Sequence, residues 1–160
     1  MEHIDIKEII LEQFEHDSFC KYDIVIRHMF VTEYFHQGKP EDFSHKLYSL
    51  LAKASDTKDR TKRFIRLIES FEEKGFDSSY PLEISKDYHV CGGTHRLALC
   101  LYMSINQIPF VSNESCKRKK RRFNKKWLKK NGFSKHMKTI EFVKNLMLRK
   151  IGIINGKDSS

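Results

Sequence analysis

Nowhere in this 160-residue chain do apolar residues run on for the ~20 positions that a membrane-spanning helix needs. The opening residues mix charged and apolar side chains and lack the basic-then-apolar layout of a secretory signal. Cysteine is sparse: Cys20, Cys91, Cys100 and Cys116 stand far apart, with no Cys-x-x-Cys pair. That spacing speaks against a zinc site and against a disulfide framework, and it leads to the expectation of a reducing, cytoplasmic setting. No metal ligands are assigned. Excess charge is also missing from most of the chain. The net charge is +9, yet residues 117–130 hold ten lysines and arginines and no acid, which leaves the remainder near neutral. A nucleic-acid surface spread over the whole body is therefore not expected.

What is present is apolar patterning sufficient for one domain with a core. Ile6, Ile9, Ile10 and Phe14 recur at helical spacing, as do Ile24, Ile26, Met29, Phe30 and Tyr34, so the chain up to about Leu51 reads as helical. Ser55 to Asp59 is a polar connector, with Asp59 or a residue before it as a candidate helix cap. Phe64, Leu67, Ile68 and Phe71 then mark an amphipathic helix that ends at Gly75. Leu82 and Ile84, followed by Tyr88 and Val90, alternate around Ser85-Lys86-Asp87 as a hairpin. Ile108 to Val111 reads as a short strand. A last helix after Gly132-Phe133-Ser134 would carry Met137, Ile140, Val143, Leu146 and Met147 on one side. Residues 1–55, 56–114 and 115–160 form three stretches of one compact α+β domain.

The most informative segment is Val90-Cys91-Gly92-Gly93-Thr94-His95-Arg96, a glycine pair between a strand and a helix. Gly92 and Gly93 let the backbone turn sharply and approach a ligand closely. The first N–H groups of the next helix face such a ligand with the positive end of the helix dipole. His95 and Arg96 add side-chain donors, and a guanidinium matches a phosphate with two parallel hydrogen bonds. The corner reads as a phosphate site, with Thr94 either bonding a phosphate oxygen or capping the helix.

Residues 63–111 resemble the ParB/sulfiredoxin superfamily. The resemblance rests on a helix ending at Gly75, the Pro81-led strand pair, Gly93-Thr94-His95-Arg96-Leu97-Ala98, and the closing Ile108-Pro109-Phe110. It implies a small ParB/sulfiredoxin-like α+β domain, here with N-terminal helices and a C-terminal helix. It also implies that ATP or another nucleotide binds with its phosphates on Gly92, Gly93, Thr94, His95 and Arg96. Thr94 stands where sulfiredoxins carry their reactive cysteine, which speaks against thiol chemistry. Gly92 stands where the serine-kinase branch carries an aspartate. A kinase here needs its carboxylate from elsewhere, and Asp59 and Asp23 are the catalytic candidates, working with Mg²⁺. Tyr22 to Arg27, Glu33-Tyr34-Phe35 and Asn131-Gly132-Phe133-Ser134 further resemble small proteins of this superfamily associated with cell-envelope polysaccharides. The resemblance thus implies a nucleotide-dependent phosphotransferase acting on a hydroxyl of a small molecule or glycan. A ParB-like nucleotide-dependent DNA-binding protein and a catalytically inactive nucleotide-binding module are the alternatives.

Two groups keep a plainer reading beside the functional one. Asp23 and Arg27 are four apart and would pair on a helix face, or Arg27 would reach the nucleotide while Asp23 serves the acceptor. The basic run from Lys117 to Trp127 could grip nucleic acid or an anionic membrane or glycan. Alternatively it is a solvated linker that Phe123 and Trp127 anchor to the domain.

Overall fold

The structure, a computed structural model, describes residues 1–15, 19–39, 42–116 and 122–153. The segment 117–121 of the basic run lies outside the described residues. Among the described residues, seven helices pack around a four-stranded mixed sheet. The strands are β1 (Glu2–Asp5), β2 (Leu82–Ile84), β3 (Val90–Gly92) and β4 (Gln107–Ser112), in the order β1-β4-β2-β3. β4 runs antiparallel to β1 and parallel to β2, with Phe110 facing Glu2 on one side and Leu82 on the other. β2 and β3 form the expected hairpin, with an irregularity between Glu83 and Ile84.

β1 corrects the helical reading of the first residues. Of its four side chains only Ile4 is buried, so local periodicity carried little signal. Its backbone groups are satisfied by β4, more than a hundred residues later. Asp5 then starts α1 (Ile6–Phe14) by accepting the Lys7 N–H at 2.7 Å.

Two helices pass through the centre. α2 (Tyr22–Gln37) buries Ile24, Val25, Ile26, Phe30 and Val31 completely, so its first half is enclosed by protein on most sides, with Asp23, Arg27 and His28 as the polar exceptions. α5 (Thr94–Met103) buries five consecutive residues, Leu97 to Leu101, for the same reason. The two pack against each other with their starts together, Arg27 meeting His95, and their ends together, Phe35 stacking on Tyr102. α3 (Asp42–Ala54) and α4 (Thr61–Lys74) cover one side with Leu47, Tyr48, Leu51, Phe64, Ile68 and Phe71. α4 stops at Gly75, as expected. A short α6 (Lys125–Lys130), capped by Asn124, and α7 (Met137–Lys150) close the other side. Phe123 and Trp127 are partly buried and pack against the core with ring centroids 5.0 Å apart. On α7 the expected stripe shifts: Leu148 is buried, while Leu146 is 45% exposed.

The cysteine expectation is also corrected. Cys91 and Cys116 form a disulfide with Cα atoms 6.2 Å apart. The chain leaving β4 stays beside β2, where Asn113 donates its N–H to the Ile84 carbonyl at 2.8 Å, and this carries Cys116 to the neighbouring β3. Spacing along the chain could not show that approach, and the argument for a reducing compartment from unpaired cysteines loses its ground. Cys20 and Cys100 are buried and take no part in that disulfide. No helix among the described residues is long and apolar enough to cross a membrane.

His28 on α2 gives the fold a pH dependence. Both ring nitrogens are buried without a hydrogen-bond partner. Burial first, and the Lys150 charge second, push its pKa down to about 4. The unfolded chain takes up a proton near pH 6.5 that the folded one refuses. Stability from this group is therefore present above pH 6.5 and is lost as pH falls towards 4. Thermal unfolding followed from pH 7 to pH 4 is expected to show this loss, and His28→Leu to reduce it, with the buried His95 keeping a share of its own.

Candidate functional site

The corner is built from both sides. Gln13 of α1 clamps the hairpin: its amide donates to the Tyr88 carbonyl at 2.7 Å and accepts the Val90 N–H at 3.1 Å. That fixes β3 just before the glycines. Gly93 has φ +96° and caps α5, and its carbonyl accepts the Leu97 N–H at 2.9 Å. A Cβ at Gly93 would stand 2.6 Å from Leu82 Cδ2 and 3.1 Å from Arg96 Nη2, so the backbone truly needs glycine here. No side chain caps α5; Thr94 is its first residue.

Thr94, His95 and Arg96 do not form one cradle. Successive side chains on a helix diverge by about 100°, and here they separate into two cavities. The first, of about 540 Å³, is lined by Thr94 and His95 with Asp23 and Arg27 from α2. The second, of about 550 Å³, is lined by Gly93, His95 and Arg96 with Arg60, Arg63 and Arg66. Arg60 and His95 border both. Arg96 turns back beneath Gly93 and donates to the Tyr80 carbonyl at 2.5 Å.

His95 is a wall, not a cation. Its Nε2 lies 3.3 Å from Arg27 Nε and 2.7 Å from the Tyr48 hydroxyl. A guanidinium has only donors, so Nε2 accepts and the proton sits on Nδ1. Burial, with the Arg27 charge in support, holds its pKa well below the ordinary value, against the opposing pull of Asp23. The ring stands edge-on to Phe64 at 4.6 Å, and Phe64 stacks on Phe30 at 4.8 Å.

Asp23 is only 2% exposed. Its Oδ2 pairs with Arg27 Nη1 at 2.6 Å and lies 3.5 Å from Lys21 Nζ. Its Oδ1 is buried with no hydrogen-bond partner. Burial alone would raise its pKa, but the Lys21 and Arg27 charges and their hydrogen bonds outweigh that and hold it below the ordinary carboxylate value. Both readings of Asp23 and Arg27 thus meet in one place: they are an ion pair, and they line a cavity.

Asp59 goes elsewhere. It accepts the Thr61 N–H at 2.9 Å, the Thr61 hydroxyl and the Ser49 hydroxyl at 2.8 Å, so it serves the start of α4 and lines neither cavity. Gly92 belongs to β3, and a Cβ there would meet only the Glu83 side chain, at 3.4 Å.

Arg60 at the N-cap of α4, with Arg63 and Arg66 in its first turns, are the cavity-lining residues that sequence reasoning passed over. Arg60, Arg63 and Arg66 follow one another at i,i+3, a spacing that places like charges on one helix face at a cost. Among the described residues none of them, nor Arg96, has a carboxylate within 4.0 Å. Arg60, Arg63 and Arg66 are exposed, so water solvates them and they stand open to an anion from outside.

A protein-held Mg²⁺ does not fit these residues. Asp23 already carries two cations, and Glu83, the other carboxylate of the first cavity, takes a hydrogen bond from Asn113 at 3.1 Å. Among the described residues no three His, Cys, Asp or Glu side chains converge. Compared with models of known protein families, with characterised proteins and with solved structures, the chain matches none.

Proposed function

We propose that this protein is a nucleotide-dependent phosphotransferase whose two substrates occupy the two cavities. The phosphates of ATP or another nucleoside triphosphate lie among Arg60, Arg63, Arg66 and Arg96. The acceptor hydroxyl, from a small molecule or glycan, lies against Asp23. The observation that carries this reading is Asp23: its Oδ1 is a buried carboxylate oxygen without a hydrogen-bond partner, and the residue borders a cavity that shares Arg60 and His95 with a cluster of arginines. A bare carboxylate oxygen out of water is costly unless something donates to it, and an acceptor hydroxyl does so. The resemblance of residues 63–111 to a nucleotide-binding superfamily supports the same assignment.

In the transfer, the acceptor oxygen forms a bond to the terminal phosphorus and the bond to the nucleoside diphosphate breaks. The acceptor's proton passes to Asp23 Oδ1. Phosphoryl transfer asks the protein mainly for position and charge neutralisation. The arginines supply the charge, Arg27 and Lys21 orient the carboxylate, and neutral His95 keeps a third positive charge away from it. Mg²⁺ fits this scheme only as a companion of the nucleotide's own phosphates.

Binding is tested by melting the protein with ATP, ADP, CTP and GTP, with and without Mg²⁺. At least one nucleotide is expected to raise the melting temperature. Arg63→Gln and Arg66→Gln are each expected to weaken that nucleotide by about tenfold or more, since a charge-assisted hydrogen bond is worth roughly 1.5–3 kcal/mol. No shift with any nucleotide would sink the proposal. Nucleotide binding without turnover on any added sugar or alcohol would leave a binding module, and duplex DNA as the required activator would point to the DNA-binding class.

A further inference from the structure

The first cavity carries more positive charge than its own carboxylates use. Beyond the Asp23–Arg27–Lys21 group, Lys58, Arg60 and Arg122 line it against a single further acid, Glu83. Arg60 faces the arginine cavity as well, which leaves Lys58 and Arg122 as the cations particular to this side. Among the described residues neither has a carboxylate within 4.0 Å. Lys58 is exposed in the connector between α3 and α4. Arg122 is half-buried, with its guanidinium carbon 4.9 Å from the centre of the Phe123 ring and Nη2 3.4 Å from the Ser55 carbonyl. Stacking on an aromatic face restrains a guanidinium while leaving most of its donors unused.

A neutral sugar would meet this wall badly. Its hydroxyls could satisfy Asp23 Oδ1, but nothing on it would answer two unpaired cations in a partly enclosed space. An anionic substituent answers both, and at about 540 Å³ the cavity has room for a hexose bearing one. We infer that the acceptor is an anionic polyol, a sugar or alcohol carrying a phosphate or carboxylate, with its hydroxyl on Asp23 and its anionic group between Lys58 and Arg122. This rests on the two-cavity reading above, because Asp23 is what makes this side the acceptor's. The contrast with the other cavity is chemical. There the cations stand without any buried carboxylate, as a polyphosphate requires, whereas here a proton acceptor and an anion clamp share one space.

The test is equilibrium binding of glucose, glucuronate and glucose 6-phosphate to the full chain, by calorimetry at low ionic strength. At least one of the two anions is expected to bind tenfold or more tightly than glucose. Which of them does so separates a carboxylate from a phosphate requirement. The double substitution Lys58→Gln/Arg122→Gln is expected to remove that tenfold preference, and Arg63→Gln/Arg66→Gln to change it less than twofold. ATP should show the reverse dependence. Equal affinity for the three sugars, or an anion preference that follows Arg63 and Arg66, overturns the inference even where ATP binds as proposed. If ATP fails to bind while the anion preference still follows Lys58 and Arg122, the anion site stands and the phosphotransferase reading falls.

Discussion

Replacing Asp23 by asparagine is expected to lower acceptor-dependent turnover by about 10²–10⁴-fold, the range for loss of a positioned proton acceptor. Nucleotide affinity should remain within about twofold, because the nucleotide cavity does not include this side chain. The amide keeps the size of the carboxylate and can still accept from Arg27, so although it no longer matches the Arg27 and Lys21 charges, its stability loss is expected to be smaller than that of alanine, and turnover is to be read at a temperature where the variant is folded. Asp23→Ala is a different experiment. It leaves Arg27 and Lys21, whose side chains are 15% and 11% exposed, as unmatched charges in the interior. Breaking such a buried pair from one side costs about 3–5 kcal/mol, so the alanine variant should fail in stability before it can be read in activity. The pH profile adds a second check. The active form is the carboxylate, held below its ordinary pKa, so its protonation should not limit the rate anywhere between pH 5 and pH 8. A rate that falls with a midpoint near 6 would assign the proton transfer to another group, and full turnover by Asp23→Asn would remove Asp23 from the mechanism.

The two glycines of the corner should respond very differently to alanine. Gly93→Ala must accommodate φ +96° and a Cβ 2.6 Å from Leu82 Cδ2, a side chain that is itself fully buried. Backbone strain of about 1–3 kcal/mol and overpacking of a similar size both apply, so a loss of roughly 2–5 kcal/mol is expected. Arg96 Nη2 lies 3.1 Å from the same Cβ position, so the guanidinium must shift and nucleotide affinity should fall with stability. Gly92→Ala meets only the end of Glu83 at 3.4 Å, with no positive φ to maintain, and should cost less than about 1 kcal/mol. Urea unfolding midpoints of the two variants decide the matter. Similar losses for both would mean that the close approach at Gly93 is not what holds the corner.

The sequence alone separates these cases only partly. The helices were legible wherever apolar residues repeat on one face, as in Phe64, Ile68 and Phe71, and the hairpin and β4 were legible from alternation around turn residues. β1 was not, because a four-residue strand with one buried side chain has no period of its own and exists through its partner. The Cys91–Cys116 bond was hidden for the same reason: β2 lies between the two segments in the sheet, and only the sheet brings their ends together. At the site, Gly93 and the Asp23–Arg27 spacing were visible. What misled was adjacency along the chain. Thr94, His95 and Arg96 are neighbours in sequence and were read as one grip, although helical rotation sends them to different walls. Conversely, Arg60, Arg63 and Arg66 recur at i,i+3 in the sequence, which says nothing of which face of α4 looks onto a cavity.

The sheet order has a consequence for how the protein comes into being during synthesis. β1 is made first, yet its hydrogen-bonding partner β4 emerges about a hundred residues later. Asp23 likewise waits for His95, far along the chain, before its cavity has a second wall. Loop closure over such distances is slow relative to local helix formation. On the ribosome, the helical first third therefore has to persist with its apolar faces uncovered until the hairpin, α5 and β4 have left the exit tunnel. The two cavities are thus among the last features to form, and a chain released before Ser112 would carry the helix that bears Asp23 without a completed first cavity.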